Sequence, residues 1–233
     1  MKNRLGKLYG IGVGPGDPEL MTMKAARLIR ECPVIAVPAT GKERNLAYEI
    51  ARGAVPEITA KELLEVSMPM TRDRELLETS HEAAAKKVIA ELKKGKNIAF
   101  LTLGDPSIYS TYIYIHNRIV ARGYDAEIIP GIPSFCAVAA RINEGLTEAA
   151  QPLHIIPASY EGIEKALALK GTRVLMKAGK SMVKIKALLG EMDSIPVVKM
   201  VERCGMEGER VLEGVDAIDA NAGYYSILVV KDQ

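Results

Sequence analysis

The spacing of apolar residues changes period repeatedly along the chain. Residues 8–13 form a short apolar run that ends in glycines, the pattern of a strand buried on both faces. Thr22 then stands where it can cap a helix carrying Ala25, Ala26, Leu28 and Ile29 on one face. A second apolar run at 34–37 stops at Pro38. Residues 45–52 read as a helix ended by Gly53, and 63–66 as a weak strand. The longest helical pattern, residues 72–94, places Leu76, Leu77, Ala84, Val88, Ile89 and Leu92 at helical spacing, with Gly95 as its stop. A buried strand at 98–103 and a helix at 110–121, closed by Gly123, follow.

Strands and helices that alternate in this way predict a mostly parallel sheet with crossover helices. Parallel strands are covered on both faces, which is why they read as continuous apolar runs. The second half repeats the scheme. Strand 126–129 ends in Pro130-Gly131-Ile132-Pro133, Ser134 caps a helix of small residues at 135–141, and strand 153–157, helix 161–169, strand 172–176 and helix 181–189 follow. Residues 195–201, 209–213 and 224–230 read as strands without full helices between them, so the second sheet is expected to be mixed. The expected fold is α/β with two α/β domains, residues 1–122 and 123–233, and a ligand-binding cleft between them.

Composition narrows the chemistry. Lys and Arg number 31 against 29 Asp and Glu, a net charge of +2 that is small for a duplex-coating protein. Aromatic residues are 5% with no Trp, a thin supply for stacking on single-stranded nucleic acid. No apolar window is long enough for a membrane span, and residues 8–16 run into Gly and Pro rather than a signal-peptide core, so a cytoplasmic location is expected. Cys32, Cys136 and Cys204 are far apart, as are His81, His116 and His154, and neither set has disulfide-framework or metal-ligand spacing.

Four turns carry candidate chemistry. Gly10-Ile11-Gly12-Val13-Gly14-Pro15-Gly16-Asp17-Pro18 follows a strand and precedes a helix, but the dinucleotide spacing fails: the third glycine falls on Pro15 or on Asp17. Gly179-Lys180-Ser181 lacks the phosphate-loop glycine, whose position is Val174, and reads as a helix start. Leu103-Gly104-Asp105-Pro106-Ser107-Ile108-Tyr109-Ser110-Thr111-Tyr112 sits at the carboxyl end of a buried strand, where open α/β sheets bind ligands. Pro130 to Ala140 opens a helix of small residues, which lets either a ligand or the sheet approach its start.

The Gly-Pro-Gly-Asp-Pro turn after the first strand, the Gly-Asp-Pro turn after the fourth and the Pro-Gly-Ile-x-Ser turn after the fifth, in this order, resemble the tetrapyrrole methylase family over essentially the whole chain. Within it, Tyr109-Ser110-Thr111-Tyr112-Ile113-Tyr114 and the 130–140 segment are similar to members that methylate C20 of precorrin-2 or cobalt-factor II. Relatives acting on uroporphyrinogen typically carry a Phe-Gly-Arg type sequence in place of Tyr109-Ser110-Thr111. The alternatives are a tetrapyrrole methylase acting on uroporphyrinogen III or at another precorrin position, a diphthine synthase-like enzyme acting on a protein side chain, and a non-catalytic tetrapyrrole or nucleotide binding module.

The resemblance implies two α/β domains, a homodimer, and S-adenosylmethionine as methyl donor, with S-adenosylhomocysteine as product. It implies cofactor contacts at Pro15, Leu103, Gly104, Asp105, Ile108, Ser134 and Phe135, and more loosely at Met176, Cys204 and Ser226. Transfer from a sulfonium to an electron-rich carbon needs in-line alignment and no protein nucleophile. Asp105 is the carboxylate expected to serve if the C20 proton needs a base, with capping of its own turn as the other reading. The tetrapyrrole rim carries carboxylates that Lys177, Lys180, Lys184, Lys186, Arg72 or Arg74 could pair with, although Lys184 and Lys186 individually read as solvated helix charges; Tyr109, Tyr112 and Tyr114 could line the macrocycle pocket, with one of the three expected in the core.

Overall fold

The computed structural model describes residues 4–39, 45–192 and 196–232. The chain divides into two compact units, Met1–Pro133 and Ser134–Gln233. The first holds a parallel sheet of five strands: β1 (Leu8–Gly12), β2 (Val34–Ala39), β3 (Glu62–Ser67), β4 (Ile98–Thr102) and β5 (Ala126–Ile129), in the order β3-β2-β4-β1-β5. β5 pairs in register with β1, Leu8 opposite Ala126 and Ile11 opposite Ile129. The boundary expected at residue 122 is therefore corrected: strand 126–129 completes the first sheet, and the first unit runs to Pro133.

Helices cover both faces. α1 (Met23–Glu31) and α2 (Leu46–Ala54) pack on Ile11, Ile35, Val37 and Leu101, while α3 (Arg74–Lys93) and α4 (Tyr112–Ala121) pack on Leu8, Val34, Ala36 and Phe100. The alternation of these strand residues between two apolar clusters follows from the two-residue period of a strand. Thr22 caps α1 as expected, its hydroxyl accepting from the Ala25 N–H at 3.1 Å. Gly53 does not end α2; it lies in its last turn, at a position where a Cβ would fall 2.5 Å from Pro18 Cγ. Gly95 and Gly123 do follow their helices, with φ of +79° and +77°.

The second unit holds β6 (Leu153–Pro157), β7 (Thr172–Met176), β8 (Val197–Glu202), β9 (Arg210–Glu213) and β10 (Ser226–Lys231), in the order β6-β7-β10-β8-β9. Only β6 and β7 are parallel, so the sheet is mixed. α5 (Ser134–Arg141) packs against β10, and α6 (Ile163–Leu167) and α7 (Met182–Gly190) cover Leu175, Met200, Leu228 and Val230. Ser134 is the first residue of α5 rather than a cap before it. Ile195, the expected start of β8, lies outside the described residues. Among the described residues no helix is long and apolar enough to cross a membrane.

Two histidines of the first unit make its stability pH-dependent. His81 on α3 is buried, stacks on Tyr114 at 4.8 Å, and has no partner for Nδ1 among the described residues. Burial, then the Arg118 charge, lowers its pKa, and burial lowers that of His116. Folding therefore favours the neutral rings. Their contribution is whole above the unfolded value of about 6.5 and is lost as the pH falls below it. The denaturation midpoint should drop between pH 7.5 and 5.5, less steeply in a His81→Gln/His116→Gln variant. Equal slopes in parent and variant would contradict this.

Candidate functional site

In the first unit, β4, β1 and β5 are neighbours running the same way, so the turns that follow them meet at one edge. They meet closely because they are glycine-rich. Gly14 and Gly104 form an isolated bridge: the Gly104 N–H donates to the Gly14 carbonyl at 2.8 Å, and the Gly14 N–H returns to the Gly104 carbonyl at 3.3 Å. Their φ values of +81° and +69° suit glycine and few other residues. A Cβ on Gly131 would lie 2.2 Å from the Gly104 oxygen, and one on Gly12 would lie 2.5 Å from that oxygen and 2.6 Å from the Gly131 nitrogen. Three turn backbones thus converge where no side chain fits.

Asp105 ties two of these turns together. Its Oδ1 accepts from the Ser107 N–H at 2.7 Å and from the Ser107 hydroxyl at 2.5 Å, and its Oδ2 accepts from the Gly131 N–H at 3.0 Å. Beneath the turn, Thr102 Oγ1 and Ser110 Oγ lie 2.7 Å apart, and the Ser110 hydroxyl also accepts the Tyr112 N–H at the start of α4. Of the residues expected here, Pro15, Leu103, Gly104, Asp105, Ile108 and Tyr109 all fall in the turns of this edge. Pro15, Gly104 and Asp105 are buried, Leu103 and Ile108 half-buried, and Tyr109 is exposed in a left-handed conformation, φ +49°. A non-glycine residue held there is strained, and such strain concentrates at functional turns.

Tyr112 is a correction. It is 0% exposed, packs on Phe100, and its hydroxyl lies 3.0 Å from His116 Nδ1. Its ring occupies the space over Gly10, where a Cβ would sit 2.0 Å from it. Tyr112 is therefore a core residue and does not line a pocket; burial pushes its phenol pKa up. Tyr114 lies against His81 instead.

In the second unit, β10 runs antiparallel to both β7 and β8, so its start shares an edge with their ends. Met176 closes β7, Ser226 opens β10 opposite Glu202, and Cys204 lies just beyond β8. Lys177 follows Met176 with φ +56°, and Arg203 precedes Cys204 with φ +54°. These are two more strained strand-end positions, and the Arg203 N–H is fixed on the Tyr225 carbonyl at 2.9 Å. Burial pushes the Lys177 pKa down and, as the largest cause, the Cys204 thiol up to about 11, so that Cys204 stays protonated at neutral pH. Ser226 is 1% exposed and its hydroxyl oxygen has no partner among the described residues. Ser134 and Phe135 stand at the start of α5, half-buried and buried.

The candidate cations sort by structure. Lys184 pairs with Glu164, and Lys186 donates to the carbonyls of Asp216 and Ile218 at 2.7 and 2.9 Å, so both serve the fold. The Lys180 side chain lies outside the described residues. Sequence reasoning missed the Glu202 cluster: Glu202 accepts from the Gly223 N–H at 2.9 Å and from Arg210, which also reaches Asp219 at 2.6 Å. Arg210 faces Glu202 only through the antiparallel β8–β9 register, which no local motif announces.

Comparison with known proteins agrees with this layout. Residues 7–216 match the model of the Tetrapyrrole (Corrin/Porphyrin) Methylases. The chain is 34% identical to a probable cobalt-precorrin-2 C(20)-methyltransferase of Methanocaldococcus jannaschii, covering 99% of this chain and 98% of that protein. It is 33% identical to the cobalt-precorrin-2 C(20)-methyltransferase of Salmonella typhimurium, over 98% and 97%. In fold it is similar to a uroporphyrin-III C-methyl transferase from Thermus thermophilus complexed with S-adenyl homocysteine, with TM-score 0.72, 21% identity and 97% of each chain covered. A parallel sheet with glycine turns at one edge, a mixed second sheet, and a family match along most of the sequence lead to one assignment: the chain belongs to the tetrapyrrole (corrin/porphyrin) methylases.

Proposed function

We propose that this protein is an S-adenosylmethionine-dependent methyltransferase that methylates C20 of precorrin-2 in its cobalt-containing form, in cobalamin biosynthesis. The observation that carries this reading is end-to-end similarity to two proteins named for that reaction on the cobalt substrate. Tyr109-Ser110-Thr111, where uroporphyrinogen enzymes have a different triplet, supports it. A homodimer, as the resemblance implies, and the cytoplasmic location expected from the sequence belong to the same reading.

The residues present suit the cofactor. A Cβ on Gly12 or Gly131 would clash with the backbone of the neighbouring turn, so these turns present bare backbone at one edge, and the Ser226 hydroxyl is a buried polar group without a partner among the described residues. Bound S-adenosylmethionine supplies a methyl group on a sulfonium, an electrophile strong enough for an electron-rich carbon. The chain's own work is to bind and orient. Backbone at the ends of β1 and β4, together with Pro15, Leu103 and Ile108, would hold the cofactor in the first unit. In the second unit, taken by itself, the resemblance gives cofactor contacts to Ser134, Phe135, Met176, Cys204 and Ser226. Alignment of reacting atoms contributes about 7–11 kcal/mol to lowering such a barrier, which leaves no need for a protein nucleophile, and Cys204 is kept neutral in any case.

Lys177, at a strained turn beyond β7, is assigned to a carboxylate of the substrate rim. Lys177→Met keeps most of the stem and removes a charge-assisted hydrogen bond worth about 1.5–3 kcal/mol. KM for the tetrapyrrole should rise roughly ten-fold or more, with S-adenosylhomocysteine affinity unchanged. Parental KM and kcat would remove Lys177 from the site. The reading as a whole is tested by calorimetry with S-adenosylhomocysteine in the absence of divalent metal, followed by turnover of cobalt-containing and metal-free precorrin-2. Binding of the product and preference for the cobalt form are expected. Tight NAD or ATP binding with no response to S-adenosylhomocysteine would overturn it.

A further inference from the structure

Asp105 was expected either to remove a proton or to cap its own turn, and its geometry answers to neither description alone. The carboxylate is buried, at 8% exposure. Three donors already converge on it: the N–H and the hydroxyl of Ser107 on Oδ1, and the N–H of Gly131 on Oδ2. The first two close its own turn. The third reaches 26 positions along the chain to the turn after β5. Gly131 is also the residue whose backbone presses on the Gly104 carbonyl, and Gly104 is locked to Gly14 by a reciprocal pair of hydrogen bonds.

A rigid chain of backbone contacts thus runs from the turn after β1, through the turn after β4, to the turn after β5. Asp105 supplies the side-chain link in it. A carboxylate suits this place. It accepts on both oxygens, whereas an amide presents one acceptor and one donor, and the donor would meet either the Ser107 or the Gly131 N–H head-on. Both oxygens are committed to donors on the chain, and little of the side chain reaches solvent.

Resting on the methyltransferase reading above, we infer that Asp105 is a positioning residue and not a proton acceptor: it holds the Gly131 turn against the Gly104 turn so that the backbone of the two presents one fixed surface to the cofactor. The chemical step proceeds without it.

The test compares the parent, Asp105→Asn and Ser107→Ala, each checked for cooperative melting. In Asp105→Asn, exchange of the Gly131 amide with deuterium should be faster by about ten-fold or more. S-adenosylhomocysteine should bind roughly ten-fold or more weakly, while kcat at saturating cofactor stays within about two-fold of the parent. The acidic limb of the kcat profile should keep its position. Ser107→Ala, which removes one donor and leaves the Gly131 contact, should keep Gly131 protection and cofactor affinity near parental. Loss of the acidic limb with kcat down about a hundred-fold and cofactor affinity intact would overturn the inference, since that is how a proton acceptor behaves. Parental Gly131 exchange and parental affinity in Asp105→Asn would overturn it equally. If Asp105→Asn does not fold, Ser107→Ala decides: loss of Gly131 protection there would contradict the separate role given to the Oδ2 contact, and its retention would support it. Should the parent bind no S-adenosylhomocysteine, the functional reading fails, while Gly131 exchange still reports on the clamp by itself.

Discussion

Replacing Gly131 by alanine should destabilise the first unit by about 3 kcal/mol and weaken cofactor binding with it. The added Cβ would sit 2.2 Å from the Gly104 oxygen and under 3 Å from backbone atoms of Gly12. None of these is the far end of a flexible side chain. Gly12 closes the interior strand β1, and Gly104 is hydrogen-bonded in both directions to Gly14. Relief therefore requires a backbone shift, and overpacking of this kind costs typically 1–3 kcal/mol and sometimes more. For a chain of this size that is a fall in Tm of roughly 6–12 °C. Gly190→Ala, where nothing among the described residues lies within 4 Å of the new methyl, is the control and should melt at or slightly above the parent. A Gly131→Ala protein with parental Tm and cofactor affinity would show that the three turns are not in contact.

The second large effect is expected in the second unit. Arg173 on β7 is 1% exposed, and its guanidinium Nη1 donates at 2.6 Å both to the Leu169 carbonyl and to Asp232 Oδ1. Asp232 also accepts the Gly171 N–H at 2.9 Å, and that bond, followed by the Arg173 contact, holds its carboxyl below the usual range. Asp232→Ala leaves a buried cation without its counter-ion. Breaking buried pairs costs about 3–5 kcal/mol, and the lower end applies because Asp232 is itself partly open to solvent. Adding Arg173→Met should recover most of the loss, since an apolar pair in the same volume needs no counter-ion. Equal stability of parent and Asp232→Ala would refute the assignment. The pair's contribution is present above the unfolded carboxylate value of about 3.9 and is lost as the pH falls through the lower folded value.

Much of this architecture is legible in the sequence because parallel strands bury both faces and announce themselves as apolar runs: 98–103 and 172–176 read directly as β4 and β7. What a strand pairs with is less legible. Strand 126–129 begins the second half of the pattern yet joins the first sheet, since its partner β1 lies more than a hundred residues earlier. Gly53 reads as a stop by propensity, but its lack of a side chain serves a tertiary contact with Pro18. Tyr109 and Tyr112 belong to one polar and aromatic stretch, but helix α4 begins between them and turns Tyr112 onto the sheet. The turns of the site were visible as motifs. Their mutual contacts, Gly14 with Gly104 and Asp105 with Gly131, depend on strand order, which one sequence read alone does not supply.

The central claim is methylation at one carbon of one class of substrate. Incubation of the protein with S-adenosylmethionine labelled with carbon-13 in its methyl group and with cobalt-precorrin-2, followed by mass spectrometry and carbon-13 nuclear magnetic resonance of the product, tests it most directly. One added methyl, attached at C20, is the predicted result. A label at any other carbon of the macrocycle, or no label on the tetrapyrrole at all, would contradict the account.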